Sequence, residues 1–351
     1  LYLLGAGASY YAIPVVTELS RTLLNIQELP QRIELMPGSA RSVSIGDLLS
    51  TDFMSDCRWL GENAIRYATV DTFAKRLYLL RQEQELNRLK GTLAIFLLLR
   101  QVSFGHDSRY DVFFTTIAQR TDGRPMIPET ISIATWNYDN QIPISLWQLF
   151  FSTPSVHDIP SLFNVYPWVS DLEHPSEKKA TLIYANGTAG IIGDTQVSND
   201  FFRVLTSGDS REEKIARLME IHKRLKAGNY EAKFLIDFAW EFSDLTAAAR
   251  EQLNRMIKEI DVMVVIGYSC PTFNREFDRG LLKNASKLKR IYIQDISPEP
   301  VRDRISSFVD PSIEIKEVRS VDQFYIPAEL RLYVRSVIIK DSPSRNILDK
   351  K

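Results

Sequence analysis

Cysteine is nearly absent from this sequence, since Cys57 and Cys270 are the only two in 351 residues. Two cysteines build neither a disulfide framework nor a four-cysteine zinc site, which favours a cytoplasmic protein with no metal centre. A net charge is also missing, because 43 Lys and Arg residues balance 44 Asp and Glu residues. We therefore predict no direct binding to nucleic acid or to an anionic membrane. The longest apolar runs, such as residues 93–99, fall short of the ~20 residues that span a bilayer.

The order of apolar runs and helical patterns predicts an α/β fold. Residues 131–136 (ISIATW), 181–185, 261–266 (DVMVVI) and 289–294 resemble buried strands, and helical spacing separates them. Strands that alternate with helices predict one Rossmann-like parallel sheet with helices on both faces. Residues 52–120 are mostly helical and too long for an ordinary crossover, so they predict a large inserted helical layer.

Three boundaries complete this domain prediction. We expect one domain over residues 1–330, with the helical insertion inside it. Residues 150–179 hold four prolines and many turn formers, which predicts a connecting or lid segment. Residues 331–351 are expected to form a C-terminal helix and then a flexible tail.

The chain opens with a strand and a turn of very small residues. Residues 1–4 are apolar, and helical spacing resumes after Pro14. A turn without large side chains lets backbone N–H groups approach a diphosphate, and the next helix adds its positive end. A structural role, in which the turn packs tightly against its neighbour, is the less favoured alternative, and the turn lacks the third glycine of the usual dinucleotide fingerprint. Its residues are Gly5, Ala6, Gly7, Ala8 and Ser9.

Three more predicted strands end in polar or glycine-containing corners. Open α/β sheets bind ligands at the carboxyl ends of their strands. Together with the first turn, these corners therefore predict one site along a single edge of the sheet. The corners are Thr135-Trp136-Asn137-Tyr138-Asp139, Asn186-Gly187 and Gly267-Tyr268-Ser269.

These four motifs, in this order, resemble the sirtuin-like (silent-information-regulator-like) NAD-binding domains of bacterial antiphage defence proteins. The resemblance extends from residue 1 to about residue 295. It implies an enzyme, an NAD glycohydrolase that acts as a defence effector and releases nicotinamide and ADP-ribose. Proteins of this family act as oligomers or with ATPase or Argonaute partners. We therefore expect a homo-oligomer or such a partner, with residues 52–120 as the assembly surface.

The resemblance also implies roles for single residues. Asn137 is expected to hold the ribose and the attacking water, and Asp139 to help place nicotinamide, while the first turn takes the diphosphate. Gly267 and Ser269 are expected to approach the adenosine ribose, whose hydroxyls donate to Asp295. Asn137 and Asp139 also fit a structural role as N-caps of the next helix. The other residues expected to line the NAD site are Pro14, Thr135, Trp136 and Gly187.

Asn186 departs from the family, which usually has histidine at this position. Asparagine does not take up a proton near neutral pH, and loss of a general base commonly costs about 10²–10⁴-fold in rate. A second function therefore stays open: a sirtuin-like module that binds NAD or ADP-ribose for sensing or assembly, with little or no turnover. His157 and His174 are the histidines considered as replacements. An unrelated hydrolase or transferase is disfavoured, because the sequence has neither a Gly-x-Ser-x-Gly elbow nor a P-loop.

Overall fold

The computed structural model describes residues 1–28, 32–34, 42–155, 157–167, 176, 178–190, 204–227, 236–241 and 243–330 of the chain. The predicted C-terminal helix and tail, residues 331–351, lie outside the described residues, as does His174. Within the described ranges, no helix is both long enough and apolar enough to cross a membrane.

Seven strands of the described chain form one parallel sheet, which confirms the predicted α/β fold. Their order across the sheet is β11-β10-β9-β1-β6-β8-β7, and the pairs β2-β3 and β4-β5 form two small antiparallel ribbons. In chain order the strands are β1 (Tyr2–Leu4), β2 (Arg32–Glu34), β3 (Ser42–Ser44), β4 (Gln119–Thr121), β5 (Arg124–Met126), β6 (Ser132–Thr135), β7 (Phe163–Tyr166), β8 (Ala180–Tyr184), β9 (Val262–Ile266), β10 (Arg290–Gln294) and β11 (Glu314–Val318).

Helices form most of the connections between these strands. The spacing of Ser210 and Glu213 predicts a capping box, and the structure has one at the start of the helix Arg211–Lys226, where the side chain of each residue accepts from the backbone N–H of the other. The α-helices are α1 (Val16–Leu24), α2 (Ile45–Leu48), α3 (Thr51–Arg66), α4 (Val70–Leu79), α5 (Glu83–Phe104), α6 (Arg109–Ile117), α7 (Gln141–Phe150), α8 (Asp158–Leu162), α9 (Arg211–Lys226), α10 (Asp244–Met256), α11 (Arg275–Lys283) and α12 (Glu299–Ser306).

Helices cover both faces of the sheet. Successive residues of a strand point to opposite faces. Tyr2 and Leu4 accordingly share a core with residues of α6, α7 and α8, whereas Leu3 shares one with residues of α10, α11 and α12. Because both faces are covered, central strands such as β9 are apolar along their length instead of alternating.

A third core belongs to the helical layer, which is built by α1, α2, α3, α4, α5 and α9. The layer therefore draws on three helices outside residues 52–120, namely α1, α2 and α9, and α6, which lies within that range, packs against α7 instead. Residues 93–99 of α5 are all buried in this core. The apolar run singled out in the sequence thus stabilises the chain's own fold and leaves no free surface for a partner.

Residues 150–179 are more than a connection, so that prediction was wrong in part. They contain α8 and the edge strand β7, which pairs in parallel with β8. The strand was missed because it has only four residues, which are too few for periodicity to distinguish a strand from a loop. An edge strand also tolerates flanking prolines, since one of its sides needs no ladder hydrogen bonds.

Strand β1 lies where the chain changes direction across the sheet. From β1 the chain crosses to β6, β7 and β8 on one side, and it returns to β9, β10 and β11 on the other. Such a switch point opens a crevice outside the carboxyl ends of the strands, where α/β proteins bind their ligands.

Candidate functional site

The four predicted motifs meet at the carboxyl edge of the sheet. Gly5, Trp136, Ala185 and Gly267 each follow the last residue of β1, β6, β8 and β9, which are neighbours in the sheet. Backbone hydrogen bonds of 3.0 Å continue the sheet ladder one residue beyond each of these strands. The backbone N–H of Gly5, for example, donates to the carbonyl of Ile266, which lies 261 positions further along the chain. The structure therefore brings together loops that are far apart in the sequence.

The glycines of the first turn pack against Gly267. The turn is a short 3₁₀ helix, Ala6–Ser9, and the amide of Gly7 donates to the carbonyl of Gly267 at 3.0 Å. A Cβ atom on Gly267 would lie 2.4 Å from the Cα of Gly7, and the φ of +56° at Gly267 also favours glycine. The close packing of the two turns therefore explains why glycine occupies positions 7 and 267. The amides of Gly5, Gly7 and Ala8 all donate within the protein, which leaves fewer of them for a diphosphate.

Arg109 holds the carbonyl side of this turn, although no sequence motif singled it out. Its Nη2 donates to the carbonyls of Gly7 and Ala8, both at 3.1 Å, and Nη1 donates to the carbonyl of Val321. Asp107 accepts from Nε and Nη2 of the same guanidinium and neutralises it. Both side chains are buried, so the pair fixes the turn from inside the protein.

Asn137 contacts the first turn through its side chain. Its Nδ2 donates to the carbonyl of Gly5 at 2.9 Å and to Oγ of Ser9 at 3.3 Å. Its backbone N–H donates to Oγ1 of Thr135, which fixes the corner after β6. The side chain therefore does not cap α7, the structural alternative considered above. Two acceptors hold the carboxamide in one orientation, with 9% of the residue exposed.

Asp139 completes a cluster with Ser9 and Asn137. Its carboxyl is hydrogen-bonded to the hydroxyl of Ser9, which also pairs with the phenol of Tyr110 at 3.1 Å. Burial raises the pKa of Asp139 to about 6, although its hydrogen bonds oppose this shift. Oδ1 also accepts from the backbone N–H of Gln141 at 3.2 Å, at the start of α7. Asp139 therefore bonds the first residue of α7 from one position before the N-cap, which is Asn140, and this bond coexists with the contact to the turn.

Asn186 is held by Arg250, a residue that the sequence did not single out. Its Oδ1 accepts from Nη2 of Arg250 at 3.0 Å, while its Nδ2 faces the carbonyl of Trp136 at 3.5 Å. The guanidinium also donates to the carbonyls of Ala185 and Phe238. Asn186 is buried, and a cation occupies its acceptor oxygen. It therefore has no capacity to remove a proton, and a protonated imidazole here would face a positive charge.

A buried polar network joins the corner after β6 to the helical layer. Oε1 of Gln101, on α5, accepts from the backbone N–H of Asn140 at 2.7 Å and from Nε2 of Gln141 at 3.3 Å. Oε1 of Gln141 in turn accepts from the backbone N–H of Asp107 at 2.6 Å. The sequence analysis did not single out Gln101, although an amide so close to a long apolar run is a signal for a buried hydrogen-bond partner.

Trp136 and Gly187 have structural surroundings. The ring of Trp136 stacks on Tyr268, with 5.9 Å between the ring centroids, and is almost completely buried. Gly187 has a φ of +75° and forms an isolated antiparallel bridge with Ile236. Both residues therefore stabilise the corners of the site, Trp136 through core packing and Gly187 through backbone pairing.

Three predicted residues stand apart from the central cluster. Ser269 is exposed, and its carbonyl accepts from Nη1 of Arg304 at 2.5 Å. Asp295 accepts from the backbone N–H of Ser297 at 2.9 Å, as the first residue of a tight turn. Pro14 is half-buried before α1. Ser269 and Asp295 follow the neighbouring strands β9 and β10, so they lie along the same edge of the sheet, away from Asn137.

The histidines give no replacement for the missing base in the part of the chain that the structure describes. His157 is exposed at the start of α8, His106 is bonded to Asp111 of α6, and His222 is bonded to Asp56 in the helical layer. Within the same residues, no group of three or more His, Cys, Asp or Glu side chains is placed to hold a metal ion.

Comparison of the chain with protein-family models, with curated proteins and with solved structures finds no match. The sirtuin-like resemblance accordingly stays a prediction from four short motifs. A function has to be argued from the geometry described above.

Proposed function

We propose that this chain binds NAD along the carboxyl edge of its sheet and hydrolyses it to nicotinamide and ADP-ribose, as an effector of bacterial defence. The observation that carries the proposal is the cluster of Ser9, Asn137 and Asp139, in which a hydroxyl, an amide and a carboxyl lie beside the glycine turn. Cleavage of the nicotinamide bond passes through an oxocarbenium-like ribose. That reaction needs polar groups in fixed positions and a controlled supply of water.

Each group of the cluster has a role in this proposal. Asn137 orients the ribose and the incoming water, because its Nδ2 is fixed by two acceptors and its Oδ1 is fixed with it. Asp139, with a pKa of about 6, is mostly ionised at pH 7. Its negative charge stabilises the positive charge that develops on the ribose, and its oxygens accept from the nicotinamide amide. Asn186 orients neighbouring groups and moves no proton.

The second candidate is a module that binds NAD or ADP-ribose for sensing or assembly. The bond between Asn186 and Arg250 favours it, because a cation stands where the family usually has a histidine. The two candidates share the binding site and differ in turnover. A homo-oligomer, or an ATPase or Argonaute-type partner, belongs to either proposal and would supply the trigger.

Nicotinamide release separates the two candidates. We expect the purified chain, incubated with NAD alone and with the product of its neighbouring gene, to release nicotinamide. Asn137→Ala should lower the rate about 10²–10³-fold, since loss of one positioned transition-state contact commonly has that effect. Asn284→Ala, a matched change at an exposed asparagine after α11, should leave the rate unchanged. NAD binding by calorimetry without any nicotinamide release would support the binding module instead.

Binding itself needs a variant that spares the glycine contact. Gly7→Asp is unsuitable, because any Cβ at Gly7 lies 2.8 Å from the Cα of Gly267 and disturbs the fold directly. Ala6 is partly exposed, so Ala6→Asp places a carboxylate at the turn with room to reach solvent. We expect Ala6→Asp to weaken NAD binding at an unchanged melting temperature. Unchanged affinity would contradict diphosphate binding at this turn.

A further inference from the structure

A cleft of about 390 Å³ lies between α11 and α12, outside the cluster described above. Arg275 and Arg279 lie one helical turn apart on α11, and Arg304 faces them from α12. The guanidinium of Arg279 lies 5.6 Å from the ring centroid of Phe308, which forms part of the wall. The volume is in the range of small-molecule sites, roughly 300–1,000 Å³.

The positive charge of this cleft is only partly neutralised by its surroundings. In the described ranges, none of the three arginines forms an ion pair with a carboxylate. Asp303 also lines the cleft, and Arg302, which pairs with it at 2.8 Å, pairs with Glu317 at 2.6 Å as well. Three guanidinium groups thus line one concave surface together with a single carboxylate, which leaves an excess of positive charge. Like charges on one surface repel each other, so an anion between them relieves the repulsion.

We propose that this arginine cleft binds the phosphate group of a phosphorylated small molecule. Guanidinium groups match phosphate oxygens with paired N–H donors, and several of them around one group are typical of phosphate recognition. A carboxylate ligand would need fewer cations. Three arginines against one carboxylate suit a phosphate monoester, or a diphosphate, which carries about two negative charges or more at neutral pH.

The cleft is joined to the candidate NAD site through one contact. Arg304 donates to the carbonyl of Ser269, which follows β9 at the same edge of the sheet. The phosphate therefore has two possible sources: a 2′-phosphate on the adenosine ribose of a bound dinucleotide, or a separate phosphorylated compound. The first source rests on the proposed function, and the second is independent of it.

Calorimetry with inorganic pyrophosphate on the full chain tests the proposal. We expect saturable binding at low ionic strength. Arg279→Glu should weaken this binding at least tenfold, because it replaces a guanidinium donor by a negative charge. The side chain of Arg279 is exposed, so its replacement leaves the core intact. Lys283→Glu is the matched control, with the same charge change on the same helix and outside the cleft. Ala6→Asp should retain this binding, which separates the cleft from the glycine turn. Absence of saturable binding, or equal weakening by Lys283→Glu, overturns the proposal.

The two sources are separated by comparing NAD with NADP. Tighter binding of NADP than of NAD, lost in Arg279→Glu, would support a 2′-phosphate in the cleft. Equal affinities for NAD and NADP, together with pyrophosphate binding to NAD-saturated protein, would support a separate ligand. Failure of NAD to bind overturns the proposed function alone, because pyrophosphate binding in the cleft is measured without it.

Discussion

Replacement of Gly267 by alanine tests whether the glycines of the site serve the fold. The added Cβ would lie 2.4 Å from the Cα of Gly7 and 2.5 Å from the backbone nitrogen of Ala8. Both are backbone atoms, which cannot rotate away as the end of a flexible side chain can. The turns after β1 and β9 would have to separate, although a bond of 3.0 Å from Gly7 to Gly267 joins them.

Two effects set the size of this change. An alanine at a φ of +56° costs about 1–2 kcal/mol, because its Cβ approaches the next carbonyl oxygen. Forcing an extra carbon into a close-packed contact adds about 1–3 kcal/mol. Gly267→Ala should therefore lower the free energy of unfolding by about 2–5 kcal/mol. Gly280, inside α11, is the matched control, since an added Cβ there has nothing within 4 Å. Gly280→Ala should raise stability by about 0.5–1 kcal/mol.

Urea unfolding followed by circular dichroism and tryptophan fluorescence measures both variants. The opposite signs make the pair informative, because a general effect of alanine would shift both in one direction. A Gly267→Ala protein with wild-type stability would refute the close contact between the turns. In that case the glycines would need another explanation, and approach of a bound diphosphate would become the leading one.

Three further predictions concern buried polar groups. Burial raises the pKa of Asp278 from 3.8 to about 7, so the folded state keeps its proton longer than the unfolded one and loses stability as pH rises from about 4 to 7. Between pH 4 and pH 8, the free energy of unfolding of Asp278→Asn should therefore rise by up to about 4 kcal/mol relative to that of the wild type. A difference between the two proteins in urea unfolding that does not change with pH would contradict this. Arg250→Met should lower the melting temperature by several degrees, because it leaves the oxygen of Asn186 and several carbonyls unpaired, whereas a wild-type melting curve would show the network to be unimportant. If NAD is hydrolysed, the rate should fall below pH 6 as Asp139 is protonated, and Asp139→Asn should lack this step in its pH profile.

The fold was predictable wherever a pattern is local. The run DVMVVI gave β9 within one residue, because a strand covered on both faces is apolar throughout. The capping box at Ser210 and Glu213 gave the start of α9 for a similar reason, since both partners lie in one helical turn. β7 was missed, because four residues carry too little periodicity.

The candidate site was predictable in its corners and not in their partners. Parallel strands bring their carboxyl ends to one edge, so the loops that hold Gly5, Asn137 and Gly267 had to lie near each other. Arg250 and Arg109 were missed, because their partners lie 64 and about 100 positions away and no local spacing marks them. A buried arginine, whether at the start of a helix like Arg109 or inside one like Arg250, looks like any exposed arginine in the sequence.

The bond between Arg250 and Asn186 argues against a proton-transfer role for Asn186, but it does not argue against NAD hydrolysis. Nicotinamide leaves the ribose as a neutral base from a positively charged ring, so its departure needs no acid. The oxocarbenium-like ribose that remains is a strong electrophile, and the attacking water needs only a weak base for its proton. Asp139, with a pKa of about 6, has that strength, and in the proposed function it is free to take this proton once nicotinamide has left. The main demands are therefore orientation and charge, and the proposed function assigns these to Asn137 and Asp139 without a histidine.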